Sequence, residues 1–432
     1  VRNPAAAHGT DAGAPVPGAA WMTDVLRPGD LVVVAQGVGE PTPLLEQLVR
    51  AGGSLRDTEV FVGLSHSAAL TEDAARSLSL VSFGGMGPLA RLAATNTVSI
   101  IPCHFADVPR LLALRAPGRL VVLMQVSPPN DDGFHSLGMA VDYTYELVGQ
   151  ARAVIAEVNE QLPVTSAPCL HASAFAATVR TSRPLPVIPP ANVSEVHRQI
   201  AAHVVKLVPD GATIQLGIGA VPSVVGAALT RRRDLRVHST LVGDWLLGLA
   251  EAGALSTEPG SVRISEAAGS AALYEYVTRS AVLVRPVREL NSPDVLGRLE
   301  GFVAMNSALQ VDLSGQVNAE EIESGYVGGI GGQPEFLRAA QRSVGGRSIV
   351  MLPATAARGR QSRIVRRLHQ GTVTTLRSGV DFVVTEFGVA DLRGTSLDER
   401  PEALIAVAAP HHRDALLAVT ERGDRREVDD GR

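Results

Sequence analysis

Cysteine is nearly absent from this 432-residue chain, and the two that occur, Cys103 and Cys169, lie far apart inside apolar stretches. That usage argues against a disulfide framework or a cysteine-built metal site, and predicts a buried pair of free thiols. Lysine is scarcer still: Lys206 stands alone among 39 basic residues, a bias of composition rather than of chemistry. No apolar run reaches the roughly 18 residues of a membrane span. A formal net charge of −5 gives no electrostatic reason to expect nucleic acid or an anionic membrane as partner. The usual signatures of metal and nucleotide chemistry are missing too. There is no H-E-x-x-H, no calcium loop, no phosphate loop ending in Gly-Lys-Ser/Thr and no dinucleotide fingerprint. No G-x-S-x-G occurs between a strand and a helix. The opening VRNPAAAHGTDAGAPVPGAA lacks the basic start and apolar core of a secretion signal. Residues 1–20 are expected to be a mobile tail, and a cytoplasmic location is the default.

What is present is enough to build large cores. Apolar residues make up 45% of the chain and charged residues 19%, which excludes disorder, and 432 residues are too many for one ordinary core. Short apolar, β-branched runs alternate with helical patterns: LVVVAQGVGEP then PLLEQLVRAGG, and later TEVFVGLS, VSIIPCHF, LVVLMQVSPP and RAVIAEVNEQLP. Strands without polar alternation are covered on both faces, so the pattern predicts an α/β fold of mainly parallel sheets flanked by helices. The proline-rich TSRPLPVIPPANVSEVH interrupts it, and DGATIQLGIGAVPSVVGAAL restarts it. Two domains are therefore expected, at 21–188 and 189–420, with a charged tail over 421–432. The halves show no obvious sequence repeat.

Two glycine loops point to a ligand. QLGIGAVP places Gly217 and Gly219 between a strand and a helix, where bare backbone lets a ligand approach and a helix N-terminus offers N–H groups. In GYVGGIGGQPEFLRAA, Gly325, Gly328, Gly329, Gly331 and Gly332 precede another helix. Such density is costly in backbone entropy and suits close approach or N–H donors aimed at an oxyanion. Turn geometry or a loose surface loop is the plain alternative.

Longer stretches carry a resemblance: QVSPPNDDGFHSLGMAVDYT, AEVNEQLP, QLGIGAVP, MNSALQVDLSGQVNAE, GGIGGQPEFLRAA, SRIVRRL and VDFVVTEFGVADLRGTSLDERPEALIAVAAP. In this order, from about Leu26 to Leu417, they resemble the acetyl-CoA hydrolase/transferase family, in particular the 4-hydroxybutyrate and butyrate CoA-transferases. The resemblance implies two CoA-transferase-type α/β domains with the active-site cleft between them, usually in a homodimer. Coenzyme A, as acyl-CoA, is the implied substrate, with a small-molecule or carrier-bound acceptor and no metal. It places CoA against Gly217, Ile218, Gly219, Ala220, Val221, Asn306, Gly328, Gly329, Gly331 and Gly332. It also implies ping-pong chemistry in which a glutamate carboxylate carries CoA as a thioester.

That glutamate lies in a motif resembling H-[ST]-E-M-x-[ST]-D-G. Here the segment reads VHSTLVGDW. His238, Ser239 and Asp244 match, but Thr240 holds the glutamate's place. A hydroxyl cannot form the acyl anhydride and then the CoA thioester, so ping-pong CoA transfer is expected to be lost. Three readings follow. The first is acyl transfer to an acceptor, or hydrolysis, at the thioester carbonyl without a glutamyl-CoA intermediate, with Thr240, His238 and Asp244 at its centre. The second is a non-catalytic acyl-CoA binder. The third is ordinary CoA transfer with Asp244, Glu251, Glu266, Glu320 or Glu323 standing in. As base for a threonine nucleophile His238 is expected to be misplaced, on the opposite side of the strand. His66, His104 and His135 are the bases the first domain could offer.

Overall fold

The computed structural model describes residues 20–55, 57–368 and 372–423. The expected tails fall outside that range, except for Ala20, which opens a helix, and 421–423, which close one. Two sheets carry the fold. The first contains β1 (Leu31–Val34), β2 (Glu59–Val62), β3 (Ser79–Ser82), β4 (Val98–Ile100), β5 (Leu120–Val126), β6 (Ala153–Asn159) and β7 (Ala177–Thr181). The second contains β8 (Thr213–Leu216), β9 (Arg236–Val242), β10 (Val262–Ala267), β11 (Leu283–Val284), β12 (Phe302–Ser307), β13 (Arg347–Met351), β14 (Phe382–Thr385) and β15 (Gly388–Asp391).

Their strand orders are β4-β3-β2-β1-β5-β6-β7 and β11-β10-β9-β8-β12-β13-β14-β15. Every pairing is parallel except the closing β14–β15 hairpin. The strands LVVV, LVVLMQV and AVIAEVN are buried along their whole length, as the unbroken apolar runs required. Apart from the extra edge strand, the two orders are the same. The halves are thus two copies of one topology, as two domains of one α/β type led one to expect, although no sequence repeat is obvious between them. In each copy the first strand is central and the chain then leaves in opposite directions, so each has a switch point, β1/β5 and β8/β12. Crevices beyond strand carboxyl ends at such points are where open α/β sheets bind ligands. The loop after the first strand is Gly37-Val38-Gly39-Glu40-Pro41 in one copy and Gly217-Ile218-Gly219-Ala220-Val221-Pro222 in the other.

The copies are fused rather than merely tethered. Beyond β5 the chain returns to lie antiparallel to β10: Val141 N–H donates to Ser265 O (2.9 Å) and Ala267 N–H to Met139 O (3.1 Å). One apolar core includes Val33, Val122, Met139 and Val141 from the first half together with Ile214, Ile264, Ala267 and Met305 from the second. The thiols depart from expectation. Both are free, but only Cys103 is buried, while Cys169, on a short hairpin strand, is exposed.

Candidate active site

The carboxyl edge of the second sheet assembles the site by register. Thr213 pairs with Arg236 and Phe302, and Leu216 with Met305. Ser239 pairs with Ile264 and Leu241 with Glu266. Counting on from these pairs brings Ser265, Thr240, Gly217 and Asn306 level on four adjacent strands, on one face because strand side chains alternate. Ser239 Oγ donates to Leu216 O (3.0 Å) and Trp245 Nε1 to Gly217 O (2.9 Å), which fixes the Gly217 loop against β9. Asn306 Nδ2 donates to Gln215 Oε1 at 2.8 Å. Thr240 is half-buried; Ser265 Oγ is buried and has no hydrogen-bond partner.

His238 shares this face. One residue, Ser239, separates it from Thr240, so alternation puts both on the same side of the strand, and the expectation of opposite sides is corrected. It still cannot serve as the base. Its ring is 1% exposed, its Nε2 donates to Leu290 O (2.8 Å), and it stands edge-on to Phe302 and Phe336. Burial, only partly offset by the Leu290 bond, pushes its pKa down to about 4, so it is a neutral packing group. Asp244 is also a brace. Its Oδ1 accepts from Ser270 N–H (2.9 Å) and Ser270 Oγ (2.7 Å), tying the loops after β9 and β10.

The glycine loops divide in use. A Cβ on Gly217 or Gly219 would meet nothing within 4 Å. Gly219 has φ of 109° at the N-cap of the Ala220–Leu229 helix, and Ile218 is exposed while Val221 is buried beneath it. The second loop is mostly a joint. A Cβ on Gly328 would stand 2.1 Å from Ala319 O, and one on Gly85 2.3 Å from Tyr326 O. Gly85 N–H donates to Gly328 O (2.8 Å) and Phe105 N–H to Gly331 O (3.0 Å). Gly329 pairs with Gly84, and Gly331 with His104. Gly332 lies against Phe336 and Asn291. Only Gly331, at φ 57°, has open space where a side chain would be. Density that reads as a ligand cradle is therefore spent largely on backbone contact between the halves.

The five stand-in acids are dispersed. Glu266, the one on the neighbouring strand, pairs with Leu241 and so faces away from Thr240. It fills the first copy's glycine loop: Val38 N–H donates to its Oε1 (3.0 Å) and Gln36 Nε2 to Oε2 (3.5 Å). A Cβ on Gly37, at φ 58°, would lie 1.7 Å from Oε1. Full burial raises its pKa to about 7, against the Val38 bond, with nearby Asp142 raising it further. Glu320 is buried, bound by Tyr326 and by Thr374 Oγ1 (2.6 Å). Glu251 and Glu323 are exposed. Among the imidazoles, His135 donates Nδ1 to Ser127 O (2.7 Å) in a buried hairpin, and His66 lies exposed after β2. His104 reaches the joint with Gly331. The sequence reading passed over Ser265, Asn291 and Glu335 at the site, and Gln36 to Val38 as the seat of Glu266. The echo of GVGEP in GIGAVP was the one available signal.

Among the described residues no three potential ligands are grouped to hold a metal, and no helix is long and apolar enough to cross a membrane. The sequence matches the acetyl-CoA hydrolase/transferase N-terminal domain over residues 19–182 and the C-terminal domain of the same name over residues 269–420. It is similar to 4-hydroxybutyrate coenzyme A transferase of Clostridium kluyveri, 35% identical over 396 residues, covering 89% of this chain and 92% of that one. It is also similar to succinyl-CoA:cyclohexane-1-carboxylate CoA transferase of Geobacter metallireducens, 32% identical over 93% and 94% of the two chains. In three dimensions it is similar to RipA from Yersinia pestis, with a TM-score of 0.86 at 29% identity over 94% of this chain and 97% of the other.

Proposed function

The chain belongs to the acetyl-CoA hydrolase/transferase family, and from that premise we propose that it binds an acyl-CoA at the Ser265–Asn306 row and transfers the acyl group without a glutamyl-CoA intermediate. Family membership supports a transferase or hydrolase; the choice of mechanism rests on one observation. The side chain level with Gly217 is the hydroxyl of Thr240, and the acid on the neighbouring strand, Glu266, faces away into Val38 N–H. Neither position presents a carboxylate to the row, which supports a route without a glutamyl-CoA intermediate.

The Gly217–Gly219 loop is the proposed oxyanion seat. The loop at the corresponding place in the first copy, a 3-10 turn, binds a carboxylate oxygen through the Val38 N–H. The second loop differs in backbone, with Gly219 at φ 109° as N-cap of a helix, and there the helix N-terminus supplies the N–H groups proposed for a thioester oxygen turning negative. Gly331, with open space beside it, is the second proposed contact. A groove lined by Leu309, Ile322, Glu323, Arg363 and Arg366 opens on the same carboxyl edge. Arg363 is half-buried there and has no ion-pair partner among the described residues, which suits the phosphates of CoA. Acceptor and acyl group are set by what fits beside Thr240.

Incubation with acetyl-CoA and a panel of short acyl-CoAs, following free thiol, tests the reading. Thiol release above a boiled control supports it, and borohydride or hydroxylamine trapping is expected to leave every glutamate unmodified. A trapped glutamate would restore ordinary CoA transfer. Tight CoA binding without thiol release would favour the second reading, a binding-only homologue, which the same Thr240 also supports.

A further inference from the structure

Three polar groups meet where the first half touches the Gly328–Gly332 loop. His104, following β4, pairs through its backbone with Gly331, and neither ring nitrogen makes a hydrogen bond among the described residues; its Nδ1 is buried. Glu335, in the first turn of the Gln333–Arg342 helix, accepts from Asn291 Nδ2 at 2.6 Å. Asn291 Oδ1 is buried without a partner. Burial pushes the Glu335 carboxyl up; the Asn291 bond and the His104 imidazole pull it down, and Asp107 pushes it up again. Asp107 is itself ion-paired to Arg110 at 3.3 Å. The group lies on Thr240's side of the second sheet. The Val287–Leu290 helix, which Asn291 ends, packs on β9, on β10 and on the Phe105–Asp107 turn. Phe336, next to Glu335, stands edge-on to His238.

We propose that His104 is the general base for hydrolysis at this site, with Glu335 positioning its ring from the other half of the molecule; the inference rests on the acyl-transfer reading above. Glu335 is close enough for the His104 imidazole to pull its carboxyl down, and a carboxylate that closes on one nitrogen of an imidazole while the other faces substrate orients the ring and stabilises its charged form. Contacts of this kind are often loose before substrate is bound. His104 Nε2 takes a proton from water as the water oxygen bonds to the thioester carbon. The resulting oxyanion rests on the Gly217 and Gly331 loops. Its collapse breaks the C–S bond, and the imidazolium returns the proton to the departing CoA thiolate. The products are a free carboxylic acid and CoA.

The test measures thiol release from whichever acyl-CoA the wild type cleaves fastest. His104→Gln is expected to lower kcat about 100-fold or more while KM and CoA affinity hold, the usual share of a general base. Glu335→Gln should lower kcat by about tenfold and move the acid limb of the pH–rate profile, as expected for a group acting through the ring. Added imidazole should restore turnover to His104→Gly but not to Glu335→Gln. Turnover by His104→Gln near the wild-type rate overturns the proposal, and so does loss of CoA binding in that variant, which would mark His104 as structural. A wild type that cleaves no acyl-CoA overturns the functional reading itself, and the base with it.

Discussion

Replacing Thr240 with glutamate would set a carboxylate beside Gly217, on the face that carries Ser265 and Asn306. Thr240→Glu is expected to gain CoA exchange between an acyl-CoA and a free carboxylic acid, read by label transfer. Thr240→Ala should keep kcat for thiol release within about threefold of wild type, because a water attack activated elsewhere does not use this hydroxyl, while KM shifts with the acyl chain that lies beside it. A second residue-scale effect concerns protons. Glu266 keeps its proton to about 7 in the fold against an ordinary 4.5, so the unfolded chain releases it first. Its contribution to stability is full below pH 4.5 and lost as pH rises through 7, roughly 3 kcal/mol in all. His238, pushed down to about 4 from 6.5, works in the opposite sense, since stability is lost as pH falls below 6.5. The two oppose each other in wild type, so Glu266→Gln should reveal the difference. Its melting temperature is expected to rise relative to wild type as pH goes from 5 to 8, and parallel profiles for the two proteins would refute this.

Glycines separate at the scale of the loop. Gly217→Ala meets no atom within 4 Å, so it should leave the melting temperature within about 2 °C of wild type and yet weaken acyl-CoA binding, measured by calorimetric titration. Gly328→Ala drives a Cβ to 2.1 Å from the Ala319 carbonyl, and should destabilise by about 2 kcal/mol or more through strain alone. Equal thermal effects would remove the distinction between seat and joint. Sequence foresaw the elements better than their use. Strands such as LVVLMQV and the GIGAVP turn were legible because burial on both faces and a glycine-marked strand end leave local traces. Nothing local tells that Gly328 meets backbone from Gly84 and Gly85, that Glu266 is swallowed by the Gly37 turn, or that His238 is walled in by Leu290, Phe302 and Phe336. Those facts depend on which distant segment arrives opposite, and a motif read in isolation assigns such residues to chemistry by default.

Taken whole, the molecule shares one apolar core between its halves and carries strand pairing from Met139–Val141 to Ser265–Ala267. Scanning calorimetry is therefore expected to show a single unfolding transition whose van't Hoff and calorimetric enthalpies agree. Two resolved transitions would mean that the halves melt independently. The repeated strand order carries a last consequence. One of the two turns that follow a first strand is corked by the protein's own acid, and the cork is a single side chain. Shortening it, Glu266→Ala, should empty the Gly37 seat and make the chain need what it has lost. Millimolar formate or acetate would then raise the variant's melting temperature and leave the parent's unmoved, so that a turn plugged by its own side chain becomes an artificial receptor for small acids.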